Sequence, residues 1–282
     1  MALFAVCVTV MAQTPLVKGD VNGDGVVTAA DVTALYDSML GNVPGGDQFD
    51  VNGDGVVTAA DVTALYDYLL GNVPSGDEHE YVDLGLPSGT LWAKTNVGAD
   101  SPEDYDDYFA WGEIAPKDTY NEYDYLWYEA IEFGGDYLYK ITKYSTDSDH
   151  GYNGFVDNKT ELDAGDDAAT ANWGPGWCMP SNNQFQELID NCTSQWTTVN
   201  GVNGRMFTSN INGATLFFPA IGYCWGGGQY NVGTRGIYGS RTLRVESPNF
   251  AYHLSFDSGS VYCDGNNFAR YYGLSVRAVR VP

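Results

Sequence analysis

The sequence predicts two domains, a small all-α domain of paired loop-helix repeats followed by a larger α+β domain. Three observations carry that expectation. Residues 21–37, VNGDGVVTAADVTALYD, recur unchanged at 51–67, so a 30-residue unit is duplicated. After Pro74-Ser75-Gly76 the composition shifts to Gly, Tyr, Trp and Asn. Beyond that point a single segment reads as a helix among many short alternating runs.

Charge narrows the function classes. The 282 residues hold 13 Lys+Arg against 37 Asp+Glu, a net charge of -24, and phosphate contacts need Lys and Arg, so nucleic-acid binding is not expected. The sign is uneven: residues 1–76 carry one Lys and nine acids, residues 77–204 five Lys and 25 acids, and residues 205–282 seven Arg and three acids. With 14% aromatic residues the chain has the means to form a core and is not a disordered acidic polymer.

From the amino end, the apolar run Ala2–Ala12 closes on Val10-Met11-Ala12, which fits a secretory signal peptide, with residues 1–17 as signal and short leader. It is too short to span a membrane. A lipoprotein cysteine at Cys7 is the alternative. Removing residues 1–12 leaves Cys178, Cys192, Cys224 and Cys263, compatible with two disulfides in any of three pairings. None of the four has zinc spacing.

Each repeat opens on a D-x-N-x-D-G loop. Oxygen ligands at alternate positions, a glycine for the sharp turn and oxygens at positions nine and twelve are what a calcium ion requires. The first loop supplies Asp20, Asn22, Asp24, the carbonyl of Val26, Thr28 and Asp31; the second supplies Asp50, Asn52, Asp54, the carbonyl of Val56, Thr58 and Asp61. Two ions are expected. Without an ion, three carboxylates per loop repel one another. A helix follows each loop, with Val32, Leu35, Tyr36, Met39 and Leu40 on one stripe before Gly41, and Val62, Leu65, Tyr66, Leu69 and Leu70 before Gly71.

A calcium loop followed by one helix, duplicated, with Asp in the twelfth place, resembles a type I dockerin over residues 18–76, with 77–80 as linker. That resemblance implies a cohesin partner, read by Ala29, Ala30, Tyr36 and Asp37 in one copy and Ala59, Ala60, Tyr66 and Asp67 in the other. A structural calcium module without a cohesin is the second reading.

In the larger domain, residues 81–282, Ser181 with Gln184 three places on forms a capping box, and Phe185, Leu188 and Ile189 point inward. Strands are expected at Thr90–Ala93, Arg205–Thr208, Ala214–Phe218, Tyr252–Phe256, Ser260–Tyr262 and Leu274–Val279. The runs YVDLGLPSGTLWA from Tyr81, YFAWGE at 108–113, W-x-M-P-S at 177–181, ATLFFPAIGY at 214–223 and YYGLSVRAVR at 271–280 resemble the Fibrobacter succinogenes major paralogous domain. The implied fold is C-type-lectin-like and related to formylglycine-generating enzymes.

An enzyme is not expected. Formylglycine-generating chemistry needs two nearby reactive cysteines late in the chain, and Cys263 has only Cys224 before it; His79, His150 and His253 lack partner spacing. The E-P-N or Q-P-D and W-N-D motifs of calcium-dependent sugar binding are absent. The stretch 224–272 instead has the composition of a protein-recognition surface. Alternation along Tyr252–Asp257 puts His253, Ser255 and Asp257 on the face away from the core, extended by Tyr262 and Asp264. Around them stand Trp225, Tyr230, Asn231, Arg235, Arg241, Arg244, Asn249, Phe250, Asn266, Asn267, Phe268, Tyr271 and Tyr272. Tyr252, Phe256, Tyr238 and Tyr223 are assigned to the core, and Arg277 and Arg280 to ion pairs with acids of the same domain.

The same stretch resembles the variable region of proteins diversified by retroelements, with Gly236, Tyr238, Ser240 and Thr242, then Ala251, Tyr252, Leu254 and Phe256, then Ser275-Val276-Arg277 as its frame. The reading is therefore a secreted or surface-displayed recognition protein for a protein or glycan ligand. A fixed adhesin or glycan-binding module of a cohesin-dockerin assembly is the alternative.

Overall fold

The computed structural model describes residues 19–24, 26–43, 46–51, 56–69, 79–105 and 107–280. The expected signal peptide, Asn52, Asp54, Leu70, Gly71 and part of the linker lie outside these residues, as does the side chain of Asp67. The chain divides into two compact units, Met1–Asp77 and Glu78–Pro282.

In the first unit, α1 (Ala29–Met39) and α2 (Ala59–Leu69) share a small core of Val21, Val32, Leu35, Phe49, Val51, Val62, Ala64 and Leu65. Thr28 caps α1: its hydroxyl accepts from the Ala30 amide at 3.1 Å, and the Asp31 carboxylate accepts from the Thr28 amide at 2.7 Å. Gly41, at φ +75°, takes the left-handed turn that ends the helix. The expected apolar stripe is buried only over its first half, since Val32 and Leu35 are enclosed while Tyr36, Met39 and Leu40 are exposed.

The second unit is built from antiparallel sheets. β1 (Tyr81–Asp83), β2 (Leu91–Ala93) and β13 (Val279–Arg280) form one three-stranded sheet in the order β1-β2-β13. A ribbon of β3 (Tyr128–Phe133) and β4 (Asp136–Ile141) follows. Next come two helices, α3 (Ala168–Trp173) and α4 (Asn182–Asn191), and the meander β5 (Cys192–Val199), β6 (Val202–Ser209) and β7 (Thr215–Pro219). A hairpin of β8 (Tyr223–Trp225) and β9 (Gly228–Tyr230) leads into the sheet of β10 (Gly236–Leu243), β11 (Ala251–Phe256) and β12 (Val261–Asp264).

The expected fold class is corrected by this inventory. Among the described residues the architecture is carried by thirteen strands against four α-helices. The first unit is two helices pinned by loops of comparable length and not a clear all-α domain. In the second unit the two helices are of six and ten residues, too little for a helical layer.

Packing explains the strand choice. Trp92, Phe185, Phe207, Phe218, Tyr238, Leu254 and Phe256 are fully buried in one cluster under α4. The capping box at Ser181 and Gln184 starts that helix, with Phe185 and Leu188 buried. Gly236 is required opposite Phe256, because a Cβ there would lie 2.1 Å from the Phe256 ring. Leu274–Val279 is not the expected strand: isolated bridges tie Leu274 to Phe109 and Ser275 to Tyr238, and only Val279–Arg280 joins a sheet. No disulfide joins Cys178, Cys192, Cys224 and Cys263.

Of the two arginines expected in ion pairs, Arg277 is fully buried and Arg280 half-buried. Arg277 donates to Asn96 Oδ1 at 2.5 Å and to the carbonyls of Ala93 and Lys94, with its guanidinium 4.6 Å from the Phe218 ring centroid. Arg280 lies 6.0 Å from the Trp177 ring centroid. The forked donor set matches converging carbonyls as well as it matches a carboxylate.

Candidate functional site

In the first loop of the small unit the expected oxygen donors accept from backbone amides. Asp20 Oδ1 accepts from the amides of Gly23 and Asp24 at 2.8 and 3.1 Å, Asp24 Oδ1 from Val26 at 3.0 Å, and Asp31 Oδ1 from Asn22 at 3.1 Å. Asp61 repeats the Asp31 contact, accepting from the Thr58 amide at 2.7 Å. Asp31 and Asp61 are fully buried, and residues 19–76 contain nine Asp and no Lys or Arg. Among the described residues no three acidic, His or Cys side chains are gathered around one metal position. The carboxylates turn to backbone amides, the arrangement that relieves their mutual repulsion. The donor chemistry, hard oxygen throughout with buried negative charge and no basic side chain, fits a divalent cation of the calcium type. Thr28 and Asp31, expected as ligands, also start the helix, so the loop and helix are one device.

On the partner face, Ala29, Ala30, Ala59, Ala60, Tyr36 and Tyr66 are exposed. Asp37 is half-buried and accepts from Asn42 Nδ2 at 3.1 Å.

In the large unit, several residues expected at the ligand face meet in one aromatic array. Trp225 stacks on Tyr272 with centroids 6.2 Å apart and 12° between planes, and Tyr272 stacks on Tyr271 at 5.1 Å. Tyr223 stacks on Tyr230 at 5.5 Å and touches Phe268 at 4.8 Å. Trp225 and Tyr230 are 46% and 41% exposed, so the array has a solvent edge. Tyr271 connects it to Tyr128, which stacks on Tyr139. These last two were missed by sequence reasoning; the signal is Gly134-Gly135, at φ +64° and +94°, between alternating runs.

The expected exposure of His253, Ser255 and Phe268 is corrected. His253 and Ser255 do lie on the face of β11 away from Leu254 and Phe256, but they are buried, because Phe268 folds over that face with its ring 5.0 Å from His253. Phe268 is itself buried. Arg235 reaches across to Ser255 Oγ at 2.9 Å and Tyr262 Oη at 3.4 Å. Asp257 closes the β11–β12 turn by accepting from the amides of Gly259 and Ser260. Asp264 holds Asn266 and Asn267, and Arg244 reaches Asn266 and the Gly265 carbonyl. Asn231 turns the chain at φ +60°. Asn249 accepts from Tyr128 Oη at 3.3 Å, and Phe250 is half-buried. Arg241 bonds Glu161 at 3.1 Å and Cys178 Sγ at 3.0 Å. Of the rings assigned to the core, Tyr238 and Phe256 are fully buried, whereas Tyr252 and Tyr223 are half-buried.

Burial lowers His253 to about 4, against the opposing pull of Asp264 and with Arg235 adding to it. The unfolded chain takes up this proton near pH 6.5 and the folded chain near 4. Stability of the large unit should therefore be full above about pH 6.5 and fall through that window by about 1.4 kcal/mol per pH unit. Denaturant titrations from pH 7.5 to 4 on wild type and His253→Gln should show a shallower slope in the variant.

The match to known families falls on the small unit. Residues 18–70 and 48–84 match the model of the dockerin type I domain. No curated protein and no solved structure matches the chain. Dockerin type I domains bind calcium, imply a cohesin partner and occur in extracellular proteins. Among the described residues no helix is long and apolar enough to cross a membrane.

Proposed function

We propose that the protein is a secreted or surface-displayed recognition molecule. Its dockerin-type unit, loaded with two calcium ions, tethers it to a cohesin, and its large unit binds a protein ligand through the aromatic surface of Trp225, Tyr230, Tyr271 and Tyr272. One observation carries the reading: a continuous stack of rings that opens to solvent at Trp225 and Tyr230 instead of closing into the core. Rings held by other rings give a large contact area and lose little side-chain entropy on binding. Arg235 and Tyr262, already bonded to each other, add a polar margin. The resemblance to retroelement-diversified proteins marks this surface as the part that varies. A reverse-transcriptase gene beside a near-copy of the final coding stretch, differing at adenines, is the expected genomic context.

The test is binding to arrays of extracellular proteins and glycans. Trp225→Ala and Tyr230→Ala should each weaken binding of any ligand found by about tenfold or more. Both should melt close to wild type. Arg241→Ala, engaged with Glu161 and Cys178, should bind normally. Normal binding by both aromatic variants would move the ligand site elsewhere, and a hit confined to glycans would favour the glycan-binding module.

A further inference from the structure

A cavity of about 630 Å³ opens beside the β8–β9 hairpin, and none of its lining side chains belongs to the aromatic surface described above. Its volume lies within the range of small-ligand sites. Tyr108 and Tyr120 contribute to its wall, both almost fully buried. Their hydroxyls are spent on main-chain carbonyls, Tyr108 on Ile221 at 2.5 Å and Tyr120 on Tyr108, so what they offer the cavity is ring surface. Gly226, Gly227 and Gly228 form another wall. At Gly227 a Cβ would meet nothing closer than the Asp118 carbonyl at 3.9 Å, and packing does not demand glycine there. The missing side chain keeps the space open.

The charge in the cavity has one sign to spare. Lys117 lines it, but its ammonium is committed to Glu113 at 2.9 Å and to the carboxylate and carbonyl of Asp124, each at 3.1 Å. Three donors meet three acceptors, leaving nothing for an anion. Asp107 and Asp118, the other charged lining residues, are exposed and make no hydrogen bond or ion pair within the described structure. Around the cavity one ammonium thus stands among four carboxylates. A bare divalent ion is not favoured, since among the described residues no three acidic, His or Cys side chains converge.

We propose that this cavity binds a small organic ammonium ligand, with Asp107 and Asp118 as its counter-charges and the rings of Tyr108 and Tyr120 beside it. An ammonium satisfies two carboxylates with its own donors and is attracted to ring faces. The ammonium is the recognised group, whether an aminosugar or a linear polyamine carries it.

Ligand-observed NMR on the full chain separates these. Glucosamine should bind at least about tenfold more tightly than N-acetylglucosamine, which has the same ring without the charge. Spermidine binding in its place would assign the same site to a linear carrier. Asp107→Asn and Asp118→Asn should each reduce amine binding, and Gly227→Leu should abolish it by filling the cavity. All three should melt like wild type, because the carboxylates hold nothing in the fold and Gly227 has room. Trp225→Ala should leave amine binding unchanged, so this result is independent of the aromatic surface. Equal binding of glucosamine and its N-acetyl form, no binding of either amine, or unaltered affinity in both Asn variants would overturn the proposal.

Discussion

Replacing Arg270 by Met should destabilise the large unit by roughly 3–5 kcal/mol, lowering its melting temperature by about 10 °C. Arg270 is 1% exposed, and among the described residues it forms no ion pair with a carboxylate. Its Nε donates to Tyr125 Oη at 2.9 Å, Nη1 to the carbonyls of Tyr144 and Pro248 at 3.1 and 3.2 Å, and Nη2 to the carbonyl of Lys143 at 3.0 Å. The guanidinium also sits 4.6 Å from the Trp111 ring centroid. One planar group thereby ties the segment around residues 143–144 to the segment around residue 248. Methionine fills a similar length but leaves these acceptors without their donor, each at a cost of about 1–3 kcal/mol. Relief of the buried charge recovers part of that sum. Arg270→Lys should fall between wild type and Met, because an ammonium has three donors and no fork. Arg241→Met supplies the contrast: its partner Glu161 is exposed, and the loss should stay within about 1 kcal/mol. Denaturant unfolding of the three variants orders them; equal loss at Arg270 and Arg241 would show that the buried fork does not hold the fold.

The same arginine shows where sequence reasoning stops. Of the seven Arg after residue 204, composition assigns Arg235, Arg241 and Arg244 to a binding surface and gives Arg270 no role, and Arg205, Arg270 and Arg277 are buried. Composition cannot distinguish a guanidinium aimed at a ligand from one aimed at carbonyls that only the folded chain brings together. Local patterns were read better. The duplicated loop, the Ser181 helix start and the alternation that buries Leu254 and Phe256 depend on residues within a few positions of each other. The alternation located the outer face of β11, but the covering of His253 by Phe268 is a contact between separate segments that periodicity does not encode. Strand β5, CTSQWTTV, was not called because its residues are polar on both faces, and β10 because Gly236 and Gly239 interrupt its apolar run. Both become strands through pairing with neighbours whose propensity is stronger. The cavity had no sequence signal, since Asp107 and Lys117 lie far along the chain from Gly227.

Calcium removal should have the largest effect of any change, and it should be confined to the dockerin-type unit. Its described core is eight residues, Val21, Val32, Leu35, Phe49, Val51, Val62, Ala64 and Leu65, and units of this size seldom hold a fold without a staple. Nine Asp with no basic side chain between residues 19 and 76 oppose compaction. A cation bound only by the folded state adds RT ln(1 + [L]/Kd), about 4 kcal/mol per site at a thousandfold excess over Kd. Two such sites, as proposed, would contribute on the order of 8 kcal/mol, comparable with the whole stability of a small domain. Scanning calorimetry of the full chain in calcium should show two transitions. Excess chelator should abolish the one belonging to the small unit and leave the other in place. Asp31→Ala should reproduce half of that loss in calcium and lower the stoichiometry of titration from two ions to one. Because Asp31 also accepts from the Thr28 amide, about 1 kcal/mol of the variant's loss in calcium belongs to the helix cap. The excess over that figure in calcium is the metal's share. An unchanged first transition in chelator would show that the oxygen loops hold themselves together by their amide contacts alone.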